Sequence, residues 1–202
     1  VVLFFTSESG KSLIGYGRDS WREVKKVVWP TRQESLQMTG YLVPARIRNN
    51  NAGVTKLING AEHTISGAGA LGFDTIGIVN DGTILADLDP GLTIDPSDAR
   101  YFQNNGMLRV AGTGAVTLAA GPFHNQGSVV IETGRTMTRT GDYGQEAGST
   151  LVNGTLTVNG GSLLMLGGTV GGAGRINGAV VNSAGEVGPG NGIGQLQIVG
   201  SY

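Results

Sequence analysis

From about residue 57 onward, aliphatic side chains recur two positions apart in short runs: Leu108 and Val110, Val116 and Leu118, Val129 and Ile131, Leu156 and Val158, Leu196 and Ile198. That alternation is the period of a strand with one face buried. Gly, Asn, Asp and Ser punctuate the runs, as in tight turns. No helical period reappears in this region. The phrase Phe102-Gln103-Asn104-Asn105-Gly106-Met107-Leu108 returns as Phe123-His124-Asn125-Gln126-Gly127-Ser128-Val129. Ile78-Val79-Asn80-Asp81-Gly82-Thr83-Ile84 is an earlier copy. The steps from Gly106 to Gly127 and from Gly127 to Gly148 are equal, and the step from Gly82 to Gly106 is slightly longer. The interval from Gly148 to Gly185 accommodates two shorter units. One such unit cannot bury its apolar side alone, but a stack of them can. The pattern predicts a mainly β chain: a parallel β-helix or β-solenoid of about seven rungs over residues 57–202, preceded by a short helical segment.

Gly82, Gly106, Gly127 and Gly148 are expected at rung corners, and Gly and Asn there are expected to take positive φ. Asn80, Asn104 and Asn125 recur at one phase of the repeat. They either stack as an internal ladder or each satisfy a local turn; spacing alone leaves both open.

Residues 1–42 follow a different pattern. Ser20 is placed to cap a helix in which Trp21, Val24, Val27 and Val28 form an apolar stripe. Arg22, Lys25 and Lys26 fall largely on the opposite side. Pro30 ends that helix, and Thr31-Arg32-Gln33-Glu34 fits a capping box opening a second. A short basic helix with tryptophan suits a membrane interface, and equally an ordinary packed surface helix. Val1-Val2-Leu3-Phe4-Phe5 reads as the end of a longer apolar segment, so the chain is expected to be a fragment. No apolar run long enough to cross a membrane as a helix is present. The Asn-rich stretch 43–56 is expected to be a linker.

Composition sharpens the division. Residues 1–56 carry nine Lys/Arg against four Asp/Glu, a balance of +5, and residues 57–202 carry five against eleven, a balance of −6. Of the 36 glycines, 31 fall in the second part. Cysteine is absent, which excludes disulfide scaffolds and thiolate chemistry. The arginines after residue 57 are scattered in an acidic region, so no nucleic-acid partner is expected.

Arg22-Glu23-Val24-Lys25-Lys26-Val27-Val28-Trp29-Pro30-Thr31-Arg32-Gln33-Glu34 resembles the signature of SecE, the small subunit of the bacterial preprotein translocase. Arg22, Glu23, Lys25, Lys26, Trp29, Pro30, Thr31 and Glu34 carry the resemblance, which covers residues 1–42. It implies an interfacial helix on the cytoplasmic face of the inner membrane, with the translocase channel subunit as partner. Where that family continues into a membrane helix, this chain turns to Pro44-Ala45-Arg46-Ile47-Arg48-Asn49-Asn50-Asn51. Residues 50–202 resemble the β-helical passengers of autotransporters and related bacterial surface proteins. The marker is Val187-Gly188-Pro189-Gly190-Asn191-Gly192-Ile193-Gly194-Gln195-Leu196-Gln197-Ile198, with Pro189, Gly190 and Asn191 at its turn. Gly192 stands where serine is usual. This second resemblance implies a cell-surface or extracellular repeat whose ligand is unknown or a polysaccharide.

The residues that could carry chemistry are few. Gly67-Ala68-Gly69-Ala70-Leu71-Gly72 spells G-x-G-x-x-G, but Phe73-Asp74-Thr75-Ile76-Gly77 shows no helix start, so a turn is expected. Ser9-Gly10-Lys11-Ser12 lacks the first glycine of a phosphate-binding loop. Asp87, Asp89, Asp95 and Asp98 are the densest acids and would supply a calcium site or the carboxylate pair of a polysaccharide-cleaving β-helix enzyme. The Asp89-Pro90 and Asp95-Pro96 steps point instead to solvated loops. His63 and His124 have no partner at metal-ligand spacing. No catalytic, metal or cofactor site is expected. The leading expectation is a non-catalytic surface or secreted solenoid of adhesin or structural type, joined naturally or by misassembly to a SecE fragment. A translocase subunit is the alternative, and a polysaccharide-active enzyme stands behind it.

Overall fold

The computed structural model describes residues 45–48, 55–190 and 194–202. The helical segment expected at the start of the chain lies outside them. Among the described residues twenty strands are formed, and every pairing between them is parallel.

Each turn of chain lays one short strand on each of three faces. Ala115–Leu118 lies on the first face, Phe123–Asn125 on the second and Ser128–Ile131 on the third. The chain then returns to the first face as Thr136–Thr140, with Met137 opposite Val116. The third face is a seven-stranded sheet from Thr64–Ser66 to Glu186–Gly188, one strand per turn. The protein is therefore a parallel β-solenoid of seven turns, as the repeat predicts. The other two faces join into a thirteen-stranded sheet, because Thr155–Met165 and Arg175–Asn182 run unbroken from one to the other. A register shift between Thr157 and Ser162 marks the bend.

After four residues at 73–76, the corner between the first and second faces is longest in the next turn and shrinks from there. It takes seven residues at 95–101, four at 119–122, two at 141–142 and none in the next two turns. The loss of three residues between the corners 95–101 and 119–122 accounts for the step from Gly106 to Gly127 being shorter than that from Gly82 to Gly106.

The first strand, Ala45–Arg48, pairs with Gly69–Gly72 and holds Ile47 opposite Leu71. It lies inside the stretch expected to be linker, 43–56. Pairing thus begins ahead of residue 57. One aliphatic between two arginines does not read as a strand by alternation.

The core is built of columns. On the second face Ile78, Phe102, Phe123, Tyr143, Leu163 and Val180 point inward, each over the last. The rings of Phe102 and Phe123 lie 5.1 Å apart, and those of Phe123 and Tyr143 4.8 Å, within the range of favourable tilted and edge contacts. Leu92, Val116, Met137, Leu156 and Ile176 fill the first face, and Ile84, Leu108 and Val129 the third.

The corner glycines need a correction. Gly82, Gly106 and Gly127 have no positive φ, and neither do Asn80, Asn104 and Asn125; only Gly148 among these positions does, at 62°. Crowding selects the glycines instead. A Cβ on Gly106 would overlap the carbonyl oxygen of Gly82, one on Gly127 that of Gly106, and one on Gly148 that of Gly127. The corners stack so closely that no side chain fits.

Candidate functional site

The asparagines at one phase of the repeat form a ladder. The second-face strands from Lys56–Asn59 to Thr155–Met165 each end with their last side chain directed inward, where packing excludes water, whereas Asn182 at the end of the last is exposed. Asn59 Nδ2 donates to Asn80 Oδ1 at 2.7 Å, Asn80 to Asn104 at 2.7 Å, and Asn104 to Asn125 at 2.7 Å. Asn125 donates to Gln145 Oε1 at 2.9 Å. The same amides reach the third-face strands, as from Asn80 to the Met107 carbonyl at 3.0 Å and from Asn104 to the Ser128 carbonyl at 3.2 Å. The main chain is used too: the Asn80 carbonyl accepts from the amides of Asn105 and Gly106, both at 2.8 Å. Each asparagine thus closes a corner and links two turns. All four are buried, and a buried amide left unpaired would cost about 1–3 kcal/mol.

The ladder ends at Gln145. Thr150 Oγ1 donates to its Oε1 at 2.6 Å, and the Tyr143 hydroxyl lies 2.7 Å from Thr150 Oγ1. Burial pushes the Tyr143 phenol well above its ordinary pKa. The next position up is Met165, which offers no amide. Asn59 and Gln145 were invisible to the phrase: a longer corner follows Asn59, and Gln145 replaces asparagine.

Arg139 occupies an inward position between Leu118 and Val158. Its guanidinium donates to the Asp142 carbonyl at 2.8 Å and to the carbonyls of Ala119 and Gly121. It therefore ties two successive corners together. Burial lowers its pKa to about 10, partly opposed by Asp142, so it is charged at neutral pH.

The four clustered acids do not form one site. Asp87 and Asp89 precede strand Gly91–Ile94 and Asp95 and Asp98 follow it. Four extended residues separate the groups by about 13 Å, beyond the carboxylate spacing of about 5–9.5 Å that glycoside hydrolysis uses. Asp95 and Asp98 instead meet Asp74, whose Oδ1 accepts from the Asp98 amide at 3.0 Å. Desolvation, then the charges of Asp74 and Asp98, raises the Asp95 pKa. Among the described residues no three acidic, histidine or cysteine groups are placed to hold a metal.

His124 faces outward on the second face and pairs with Glu146 at 2.5 Å. A hydrogen bond from Gln126 at 2.9 Å is the main cause of a lowered Glu146 pKa, with His124 adding to it. In the G-x-G-x-x-G run only Gly67 and Ala68 lie in a corner, and Gly69–Gly72 is a strand where a turn is expected. A shallow groove of about 400 Å³ lies on the outside of the first face, lined by Arg46, Phe73, Pro90, Thr93 and Thr117 among others. Nothing in the sequence pattern flagged it.

The SecE-like positions Arg22, Glu23, Lys25, Lys26, Trp29, Pro30, Thr31 and Glu34 lie outside the described residues, as does Asn191. Pro189 and Gly190 follow the last third-face strand, and Gly190 has φ 80°. No helix among the described residues is long and apolar enough to cross a membrane.

Comparison with known proteins speaks to the other end of the chain. Residues 14–43 match the family described as SecE/Sec61-gamma subunits of protein translocation complex. That part is SecE-like. Over 34 residues, 17% of this chain, it is 53% identical to the protein translocase subunit SecE of Vibrio alginolyticus. It is 56% identical over 34 residues to the same subunit of Vibrio cholerae. The match spans 27% of each relative's length. No solved structure matches the chain.

Proposed function

We propose that residues 45–202 form a non-catalytic bacterial surface or secreted module, an adhesive or structural repeat of the autotransporter-passenger kind. The observation that carries this reading is the regular parallel stack of seven turns. Such a stack presents three long, regular outer faces as the working surface. Solenoids present such faces to extended partners. The test is labelling of intact cells of the source organism with an antibody against the solenoid. Labelling equal to that of a known surface protein supports the reading. Labelling only after lysis overturns it.

A second reading rests on the match at residues 14–43. In it the N-terminal segment sits at the cytoplasmic face of the inner membrane and contacts the translocase channel subunit. A cytoplasmic-facing segment and an exported solenoid do not share a simple topology, so we propose that the join is either an unusual natural fusion or a misassembled reading frame. One uninterrupted DNA read across codons 38–56 separates these. Co-purification of the full chain with the channel subunit would support the translocase role.

A further inference from the structure

The outward side of the first face carries a column of threonines. Thr93, Thr117, Thr138 and Thr157 stand in register on four successive turns. Thr136 and Thr155 make a shorter column beside it. Among the described residues the hydroxyls of Thr93, Thr117 and Thr138 make no hydrogen bond, whereas Thr157 Oγ1 accepts from Asn177 at 3.3 Å. Toward the first turn this column runs into the groove. Gly69, Ala70, Gly91 and Ala115 form its floor because they present little or no side chain. Phe73 is one wall, and the Arg46 guanidinium lies 5.0 Å from its ring centroid. Phe73 and Asp74 have φ of 55° and 54°, the only non-glycine residues among those described with positive φ. That backbone is costly for a bulky residue, and such strain gathers at ligand clamps. Here it holds the Phe73 ring at the groove's rim, about one third exposed.

We propose that the first face binds a linear, neutral, β-linked polysaccharide laid along the solenoid axis. The proposal rests on the reading of the solenoid as a surface module. Turns repeat every 4.7–4.9 Å or so along the axis, about the length of one hexopyranose in an extended polymer. Sugars over Thr93, Thr117 and Thr138 therefore each meet a threonine hydroxyl. The apolar side of a terminal ring packs on Phe73, and Arg46 donates to ring and hydroxyl oxygens. Asp74, Asp95 and Asp98 crowd the corner next to Phe73, and their charge disfavours a polyanion.

The test is titration of the full chain with cellohexaose, with cellobiose and polygalacturonate as comparisons. Cellohexaose is expected to bind with Kd below about 1 mM. Cellobiose is expected to be at least about tenfold weaker, since it spans fewer turns. T117V and T138V keep a β-branched side chain and hence the strand. Together they are expected to weaken cellohexaose by about tenfold, with an unchanged circular dichroism spectrum. R46Q is expected to weaken it as well. Absence of saturable binding, binding untouched by T117V/T138V, or preference for polygalacturonate would overturn the proposal. Cell labelling is read independently, so either idea can fail without the other.

Discussion

The side-chain amide of Asn104 donates to Oδ1 of Asn125, one turn further along, at 2.7 Å. The two residues are neighbours in space and 21 apart in sequence. Every corner of the second face from Asn59 to Gln145 repeats that relationship, so its removal at one rung is felt at two. Asn104→Ala removes one of the two acceptors of the Asn80 amide and the Asn104 donor to Asn125 Oδ1, both at buried residues. A loss of about 2–4 kcal/mol is expected in urea unfolding. Asn105→Ala, next door, deletes an exposed hydrogen bond to Asp81. It should cost under about 1 kcal/mol, and equal losses at the two sites would refute a buried ladder.

Gly106→Ala should be far worse than its chemistry suggests. The added methyl overlaps the Gly82 carbonyl in a corner that cannot open without breaking two turns. A cost of about 3 kcal/mol or more is expected. Gly134→Ala is the control: φ there is 73°, yet nothing lies within 4 Å of the new methyl. About 1 kcal/mol of backbone strain is expected at that site. Thermal unfolding of both variants ranks crowding against φ.

Arg139→Met keeps most of the side-chain volume between Leu118 and Val158 while removing every donor to Ala119, Gly121 and Asp142. The expected loss is about 1–3 kcal/mol. Hydrogen exchange should quicken in the corners 119–122 and 141–142 before it changes in the strands. A variant as stable as the parent would show that packing alone holds those corners.

Two carboxylates give pH dependences of opposite sign. Glu146 has a lowered pKa in the fold, so the unfolded chain binds the proton more readily. Its contribution is fully present above its ordinary pKa of 4.5 and is lost as pH falls through the lower folded value. Asp95 has a raised pKa, so its charge opposes folding at neutral pH, and that cost disappears as pH falls through the raised value. Glu146→Gln should flatten the loss of stability below pH 4.5, and Asp95→Asn should raise stability at pH 7. Unfolding curves from pH 3 to 7 check both; the opposite signs would show that the carboxylates' surroundings are not as described.

The architecture was legible because one physical constraint repeats. Asn80, Asn104 and Asn125 each precede a glycine by two, and stacking forces both choices at once: a buried amide, then a corner without a side chain. The same constraint hid where substitution preserved function. Gln145 continues the ladder without spelling asparagine. Gly168 fills the gap between Gly148 and Gly185, its Cβ position crowded by the Gly148 carbonyl, but Met165 precedes it and breaks the phrase. Arg139 stands where alternation calls for an aliphatic, since its backbone partners come from corners that sequence does not align. The positive-φ expectation for corner asparagines was wrong because these side chains serve the ladder from a strand, not a turn. The groove was unreadable for a related reason. Arg46, Phe73 and Thr117 are far apart in sequence, and only the register of the turns brings them to one surface.

The parallel stack itself is tested most directly by nuclear Overhauser contacts between side chains one turn apart. The Phe123 ring should show contacts to both Phe102 and Tyr143, and the Asn104 side-chain amide to both Asn80 and Asn125. Cross-strand Hα–Hα contacts typical of antiparallel pairs, with those ring and amide contacts missing, would contradict a seven-turn parallel solenoid.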